Sequence, residues 1–167
     1  AERMARLIDD LLSLSKVEVD EHIQPRDQVS LSSLLRQVVD AMAVRANEKG
    51  MTVSLNMSAN LPDVVGDEDQ LTQVFQNLID NAVKYGRPKS DINIEISVVD
   101  RVPGTAAPGV SVSIKDQGDG ISEEHLSRLT ERFYRVDKAR SRELGGTGLG
   151  LAIVKHIIGR HRGWLAI

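Results

Sequence analysis

Asp67-Glu68-Asp69-Gln70-Leu71-Thr72-Gln73-Val74-Phe75-Gln76-Asn77-Leu78-Ile79-Asp80-Asn81-Ala82-Val83-Lys84-Tyr85 is the stretch on which the reading turns. Asp67 suits an N-cap with Gln70 three residues on, and Leu71, Phe75, Leu78, Ile79 and Ala82 recur at helical spacing. The segment therefore reads as a helix to about Tyr85 with one buried face. Its opposite face carries Gln70, Gln73, Asn77, Asn81 and Lys84, a single stripe at spacings of three and four. A solvated surface accounts for polar residues, but such surfaces favour Glu, Lys and Arg. Each mid-helix asparagine costs roughly 0.6 kcal/mol of helix propensity relative to alanine. Locally unfavourable choices concentrate at functional sites. Amide carbonyl oxygens suit a hard cation such as magnesium, and a lysine one turn on suits phosphate.

Outward from this helix the periods change. Met51, Val53, Leu55 and Met57 alternate with polar residues as in a half-buried strand, and a short Val64-Val65 piece precedes Asp67. Ile92, Ile94, Ile96 and Val98 form a second alternation, and Val110, Val112 and Ile114 a third. The Pro/Gly-rich loop 101–109 between them predicts an antiparallel hairpin. Upstream, Leu31, Leu34, Leu35, Val38, Val39 and Met42 mark a helix from Ser30 that Gly50 ends. Ser122 reads as the cap of a short helix, with Ile121 able to staple onto Leu126. A last helix from about Gly148 to Arg160 packs Leu151, Ile153, Val154, Ile157 and Ile158, and Trp164 to Ile167 is strand-like. Helices segregated from an antiparallel or mixed sheet make an α+β fold, a two-layer sandwich with helices on one face.

The first segment, Ala1 to about Val19, places Met4, Leu7, Leu11 and Leu14 in a seam that Ile8 and Leu12 widen. Such a stripe either packs on the rest of the domain or joins a multi-helix bundle between chains. Its terminal position and the polar joint 20–28, with Pro25, favour the bundle.

Composition narrows the class. The 167 residues hold 21 Lys and Arg against 24 Asp and Glu, a net charge of −3, which argues against nucleic-acid binding by phosphate neutralisation. The aromatic residues are Phe75, Tyr85, Phe133, Tyr134 and Trp164, too sparse for a base-stacking platform. Cysteine is absent, which excludes disulfides, thiolate zinc sites and cysteine nucleophiles. No apolar run approaches the roughly 18 residues of a membrane span.

Two glycine-rich segments carry further chemistry. Asp116-Gln117-Gly118-Asp119-Gly120-Ile121 is no calcium loop, because glycines stand where oxygen ligands are needed. It reads either as an Asx-type turn or as a thin backbone that admits a flat ligand whose N–H Asp116 accepts. Gly145-Gly146-Thr147-Gly148-Leu149-Gly150-Leu151 lacks the ending of a Walker A loop and the preceding strand of a Rossmann turn. Its glycines sit at a helix start, where bare N–H groups and the helix dipole favour phosphate. The intervening segment, 136–147, is charged and glycine-rich without apolar period and reads as a mobile loop.

In this order the motifs resemble the catalytic ATP-binding domain of sensor histidine kinases of two-component systems, which has the Bergerat fold. Residues Gln73 to Tyr85 match the N box, Asp116 to Ile121 the G1 box, Phe133-Tyr134-Arg135 the F box and Gly145 to Leu151 the G2 box. The resemblance covers nearly the whole chain: 1–19 looks like the second helix of the dimerisation and phosphotransfer bundle, 20–28 a linker, and 29–167 the catalytic domain short of its final strand. It implies ATP and Mg2+ as cofactors. Asn81, supported by Asn77, would hold the magnesium, Lys84 would meet the triphosphate and Tyr85 would lie beside the nucleoside. Asp116 would accept the adenine amino group, with Gly118 and Gly120 letting the ring in and Ile121 beside them. Arg135 and the 136–147 lid would close on the γ-phosphate, while Thr147, Gly148, Leu149 and Gly150 complete the phosphate cradle.

The resemblance also implies partners: a cognate response regulator, a second copy through the helical bundle, no nucleic acid, and a membrane only through regions outside this sequence. A cytoplasmic domain of an inner-membrane sensor is the implied setting. Relatives that hydrolyse ATP, such as gyrase, Hsp90 and the mismatch-repair ATPases, carry a glutamate four residues before the magnesium asparagine. Here that residue is Asn77, which cannot act as a general base, so transfer is favoured over hydrolysis. The family's acceptor histidine is followed directly by an acidic residue. None of His22, His125, His156 and His161 is, so the acceptor is expected upstream of residue 1. The alternatives are an ATPase or protein-serine kinase on the same fold, and a nucleotide-sensing interaction module without catalysis.

Overall fold

The computed structural model describes residues 2–19, 23–137 and 144–167, with backbone alone for Glu2 and Arg3. In chain order the elements are α1 (Glu2–Val19), β1 (Asp27–Val29), α2 (Leu31–Glu48), β2 (Thr52–Met57), β3 (Val64–Gly66), α3 (Glu68–Tyr85), β4 (Asp91–Val99), β5 (Gly109–Lys115), α4 (Glu123–Leu126) and α5 (Gly150–Arg160). They form two compact units, one of Pro25–Gly120 and the other of Ala1–Gln24 with Ile121–Ile167.

The Pro25–Gly120 unit is built on a mixed sheet ordered β2-β4-β5. β2 runs parallel to β4, with Thr52 opposite Asp91 and Met57 opposite Ile96, and β5 returns antiparallel as the expected hairpin. Along β4 the alternation is visible in burial: Ile92, Ile94 and Ile96 are buried while Asp91, Asn93 and Glu95 are exposed. The pattern lapses at Val98, which is exposed near the sheet's end. Helices α2 and α3 pack on each other and on this sheet. Each fully buried isoleucine or leucine there contributes about 1.5–3 kcal/mol. Gly50 closes α2 at φ +66°, a left-handed conformation that glycine adopts without strain.

Three expectations are corrected here. Asp27 and Gln28, assigned to the linker, belong to β1, which pairs antiparallel with β3 through Asp27–Gly66, Gln28–Val65 and Val29–Val64. That partner lies far along the chain, so no local pattern announces the strand. Helix α5 starts at Gly150 rather than Gly148, because Gly148 has φ +77° and cannot be helical. Residues 163–167 carry no strand, and Trp164 and Ile167 are exposed. Alternation makes a strand only where a ladder partner is available.

The second unit holds α1, α4 and α5. Leu14 and Val17 are buried where α1 meets α5, whose Ala152, Ile153, Val154 and Ile157 are buried in turn. Polar contacts reinforce the packing: Glu18 pairs with Arg132, lies 3.7 Å from His156 Nε2, and the Arg160 Nε–H donates to the Ile23 carbonyl at 2.8 Å. Met4, Ile8, Leu11 and Leu12 of α1 remain exposed. Ser122 occupies the N-cap of α4, but its hydroxyl faces Glu124 Oε1 at 3.3 Å and makes no side-chain cap. Residues 20–22 of the expected linker, including His22, and 138–143 of the expected lid lie outside the described residues. Among the described residues no helix is long and apolar enough to cross a membrane.

Candidate functional site

Helix α3 is fixed at both ends. Asp67 Oδ1 accepts the Gln70 N–H at 3.1 Å, and Glu68 and Asp69 follow in the first turn, where the helix dipole favours negative charge. At the other end Lys49 Nζ donates to the Val83 carbonyl at 2.7 Å and to the Lys84 carbonyl at 3.3 Å, satisfying groups that a helix C-terminus leaves bare. Between these anchors the polar stripe is not an open surface. Gln73, Asn77, Asn81 and Lys84 are half-buried, and Gln70 is buried.

Lys84 sits in a charge cluster that was not expected. Its ammonium lies 2.5 Å from Asp80 Oδ2, and Arg45 of α2 lies 2.6 Å from Asp80 Oδ1. Asp80 stands four residues before Lys84, the favourable order for a helical ion pair, and this spacing could have revealed it. The Arg45 contact is one of charge rather than an aligned hydrogen bond, since Oδ1 is buried with no well-directed N–H.

The Asp116 turn closes against the end of α3. Asp116 Oδ1 accepts the Gly118 N–H at 2.7 Å, so the segment is an Asx turn, with Asp116 itself exposed. A Cβ at Gly118 would fall 2.8 Å from the Tyr85 carbonyl, and one at Gly86 would fall 3.6 Å from Asp116 Cβ. The absent side chains thus bring Tyr85, Gly86, Asp116 and Gly118 together. Arg87 and Asp119 tie the two segments a second time at 3.4 Å. Gly120 takes φ +75° with nothing near its missing Cβ. The two readings of this turn are therefore compatible, because one carboxylate oxygen shapes the loop while the side chain stays exposed.

In the second unit the Gly145–Leu151 segment is held by α1. The Thr147 hydroxyl donates to Asp10 Oδ2 at 2.5 Å and accepts the Leu149 N–H at 3.3 Å. Thr147 and Leu149 are both buried, and Arg6 approaches Gly145. The Phe133 N–H donates to the Gly148 carbonyl at 2.8 Å, and a Cβ at Gly148 would lie 3.2 Å from Arg135 Nε. Among the described residues Arg135 Nε is buried with no hydrogen-bond partner. That helix has no side-chain cap at Leu149. A helix start and a guanidinium are both chemistry that suits a phosphate. Ile121 is exposed. Asp10, Arg45, Lys49 and Asp80 are the residues that the sequence reading passed over.

The family model described as Histidine kinase-, DNA gyrase B-, and HSP90-like ATPase matches residues 66–167, more than half of the chain. The chain is 40% identical over 168 residues to the phosphate regulon sensor protein PhoR of Pseudomonas aeruginosa, spanning all of this chain and 36% of that protein. It is 36% identical over 166 residues to the sensor histidine kinase WalK of Bacillus subtilis, covering 97% of this chain and 26% of WalK. The chain thus spans about a third or less of these two relatives. Full-length ShkA, solved in complex with AMPPNP, superposes with a TM-score of 0.76 at 30% identity, over 94% of this chain and 31% of ShkA. The chain belongs to the histidine kinase-, DNA gyrase B- and HSP90-like ATPase family and carries the catalytic ATP-binding domain of a sensor histidine kinase.

Proposed function

We propose that this chain binds Mg-ATP and transfers its γ-phosphoryl group to a histidine on another segment, for relay to an aspartate of a response regulator. The observation that carries the reading is the pair Asn77 and Asn81 on α3, half-buried one turn apart, with an amide rather than a carboxylate at position 77. These two amide carbonyls would hold a magnesium ion, and neither amide can take a proton from water. When bound, the ion supplies charge neutralisation of the phosphates. Asp116 accepts the adenine amino group, and Tyr85, Gly118, Gly120 and Ile121 complete the set for the base. Lys84, Arg135, Thr147, Gly148, Leu149 and Gly150 serve the phosphates, a reading supported by Arg135 Nε, which is buried with no hydrogen-bond partner among the described residues.

In the transfer, the bond from the γ-phosphorus to the bridging oxygen breaks, leaving ADP. A P–N bond forms on the acceptor imidazole, which loses its ring proton. The chain's contribution is positioning and electrostatics. None of His22, His125, His156 and His161 precedes an acidic residue, so the acceptor is assigned to a separate helix. The exposed Met4, Ile8, Leu11 and Leu12 of α1 supply the apolar seam on which such a helix, and a second copy, would pack.

The test mixes this chain, radiolabelled Mg-ATP and a separate polypeptide bearing the acceptor helix. Acid-labile label on the acceptor helix, dependent on the chain, is the expected result. Phosphate release without labelling, an acid-stable phosphoprotein, or nucleotide binding without either would replace the reading by an ATPase, a serine kinase or a nucleotide sensor respectively.

A further inference from the structure

Resting on the proposed role of Lys84 toward phosphate, we propose that Arg45, on α2, controls how readily Lys84 is released to the triphosphate. The Asp80 carboxylate holds two cations, Lys84 on Oδ2 at 2.5 Å and Arg45 on Oδ1 at 2.6 Å. The Asp80 and Lys84 side chains are only 22% and 11% exposed, whereas Arg45 is 50% exposed. On α3, Lys84 stands about one turn after both Asp80 and Asn81, and its ammonium is on Asp80. To reach phosphate, Lys84 must leave Asp80.

The energetics of that exchange depend on what remains. Stripping the last partner from a largely buried carboxylate is costly, because desolvation is then uncompensated. With Arg45 in place, Asp80 keeps one cation after Lys84 departs, and the exchange trades one anionic partner of Lys84 for another. Without Arg45, the same movement leaves Asp80 alone, and Lys84 stays with it. Arg45 is thus a positioning residue that acts on the phosphate through Asp80 without touching the ligand.

Four proteins test this: the parent chain, Arg45→Met, Asp80→Asn, and the double variant, each titrated with Mg-ATP and, separately, with adenosine. Arg45→Met is expected to weaken Mg-ATP about tenfold, from the loss of one partner of a partly exposed pair. Adenosine affinity is expected to be unchanged, since the nucleoside has no phosphate. Adding Asp80→Asn removes the anion that detains Lys84, so the double variant should bind Mg-ATP as Asp80→Asn alone does. Arg45→Lys, which keeps the charge, should recover most of the affinity.

Equal Mg-ATP affinity in Arg45→Met and parent would overturn the inference. So would equal losses for ATP and adenosine, or a loss that persists in the Asp80→Asn background, since either marks a structural effect. A parent chain that binds no Mg-ATP would instead sink the proposed function, and this inference with it.

Discussion

The α3 stripe and the Gly145–Leu151 segment, each proposed to serve phosphate, are organised in opposite ways. On α3 the residues Asn77, Asn81 and Lys84 ride one 18-residue helix, capped by Asp67 and closed by Lys49. Their mutual placement follows from 3.6 residues per turn. The glycine segment has no regular structure before α5, and its central hydroxyl is tied to Asp10, 137 residues earlier in the chain. Its geometry is therefore borrowed from a distant helix. The lesson is that one segment is set by local periodicity and the other by tertiary contacts, so perturbations should separate. Changes to the ligand-facing side chains on the α3 side should move affinity with little effect on stability, whereas changes to the contacts that hold either segment should move stability first.

The largest effect is expected at Asp116. Asp116→Ala should weaken Mg-ATP about a hundredfold, or about 2.7 kcal/mol, through loss of a charge-assisted hydrogen bond to the base. Stability should change little, because the Gly118 N–H it leaves is in an exposed loop. Calorimetric titration with thermal melting of the same sample checks both halves. An Asp116→Ala chain that binds ATP like the parent would break the assignment of the adenine contact. Next comes Gly148→Ala, expected to destabilise by about 2 kcal/mol in denaturant melts. Its φ of +77° is strained for any L-residue, and its new Cβ would stand 3.0 Å from Phe133 backbone atoms. An unchanged melt would mean that the segment is not held as tightly as its contacts indicate.

That same division explains what could be read in advance. The helix from Asp67 to Tyr85, its cap on Gln70, the β4–β5 hairpin and the Gly50 turn were legible because each depends on residues a few positions apart. The stripe of Gln73, Asn77, Asn81 and Lys84 was legible for the same reason. The β1–β3 ladder was not, since α2 and β2 lie between Val29 and Val64 in the chain. Asp10 gave no sign either: it is one carboxylate among several on α1, and only the folded contact singles it out for Thr147. Asp80 lay within reach of local rules, four residues before Lys84, but its second partner, Arg45, comes from α2 and required the structure. Local spacing thus set the helical placement of the stripe, and long-range packing decided which partners Thr147 and Asp80 hold in the fold.

A milder change sharpens the contrast on the glycine side. Thr147→Val keeps the shape but removes the hydroxyl between Asp10 and the Leu149 N–H. Leaving both groups without that partner should cost about 1.5 kcal/mol by chemical denaturation. Asp10→Ala combined with Thr147→Val should cost less than the two single changes added together, because they remove one shared interaction. Strict additivity would show that the Thr147 hydroxyl and Asp10 do not act as a pair.

The smallest expected effect lies at the C-terminus of α3, at Lys49. Lys49→Met retains the apolar stem and removes the ammonium from the Val83 and Lys84 carbonyls. The loss should be about 1 kcal/mol, since a cation at a helix C-terminus adds a dipole interaction to its hydrogen bonds. Salt should narrow the difference between variant and parent, as it screens a partly exposed charge. Because Lys84 and Tyr85 form the last turn that Lys49 steadies, Mg-ATP affinity should fall by no more than about threefold in the same variant. A larger loss of affinity than of stability would place Lys49 in the binding apparatus itself. That outcome would undo the idea that α3 presents its ligands on a scaffold already rigid without them.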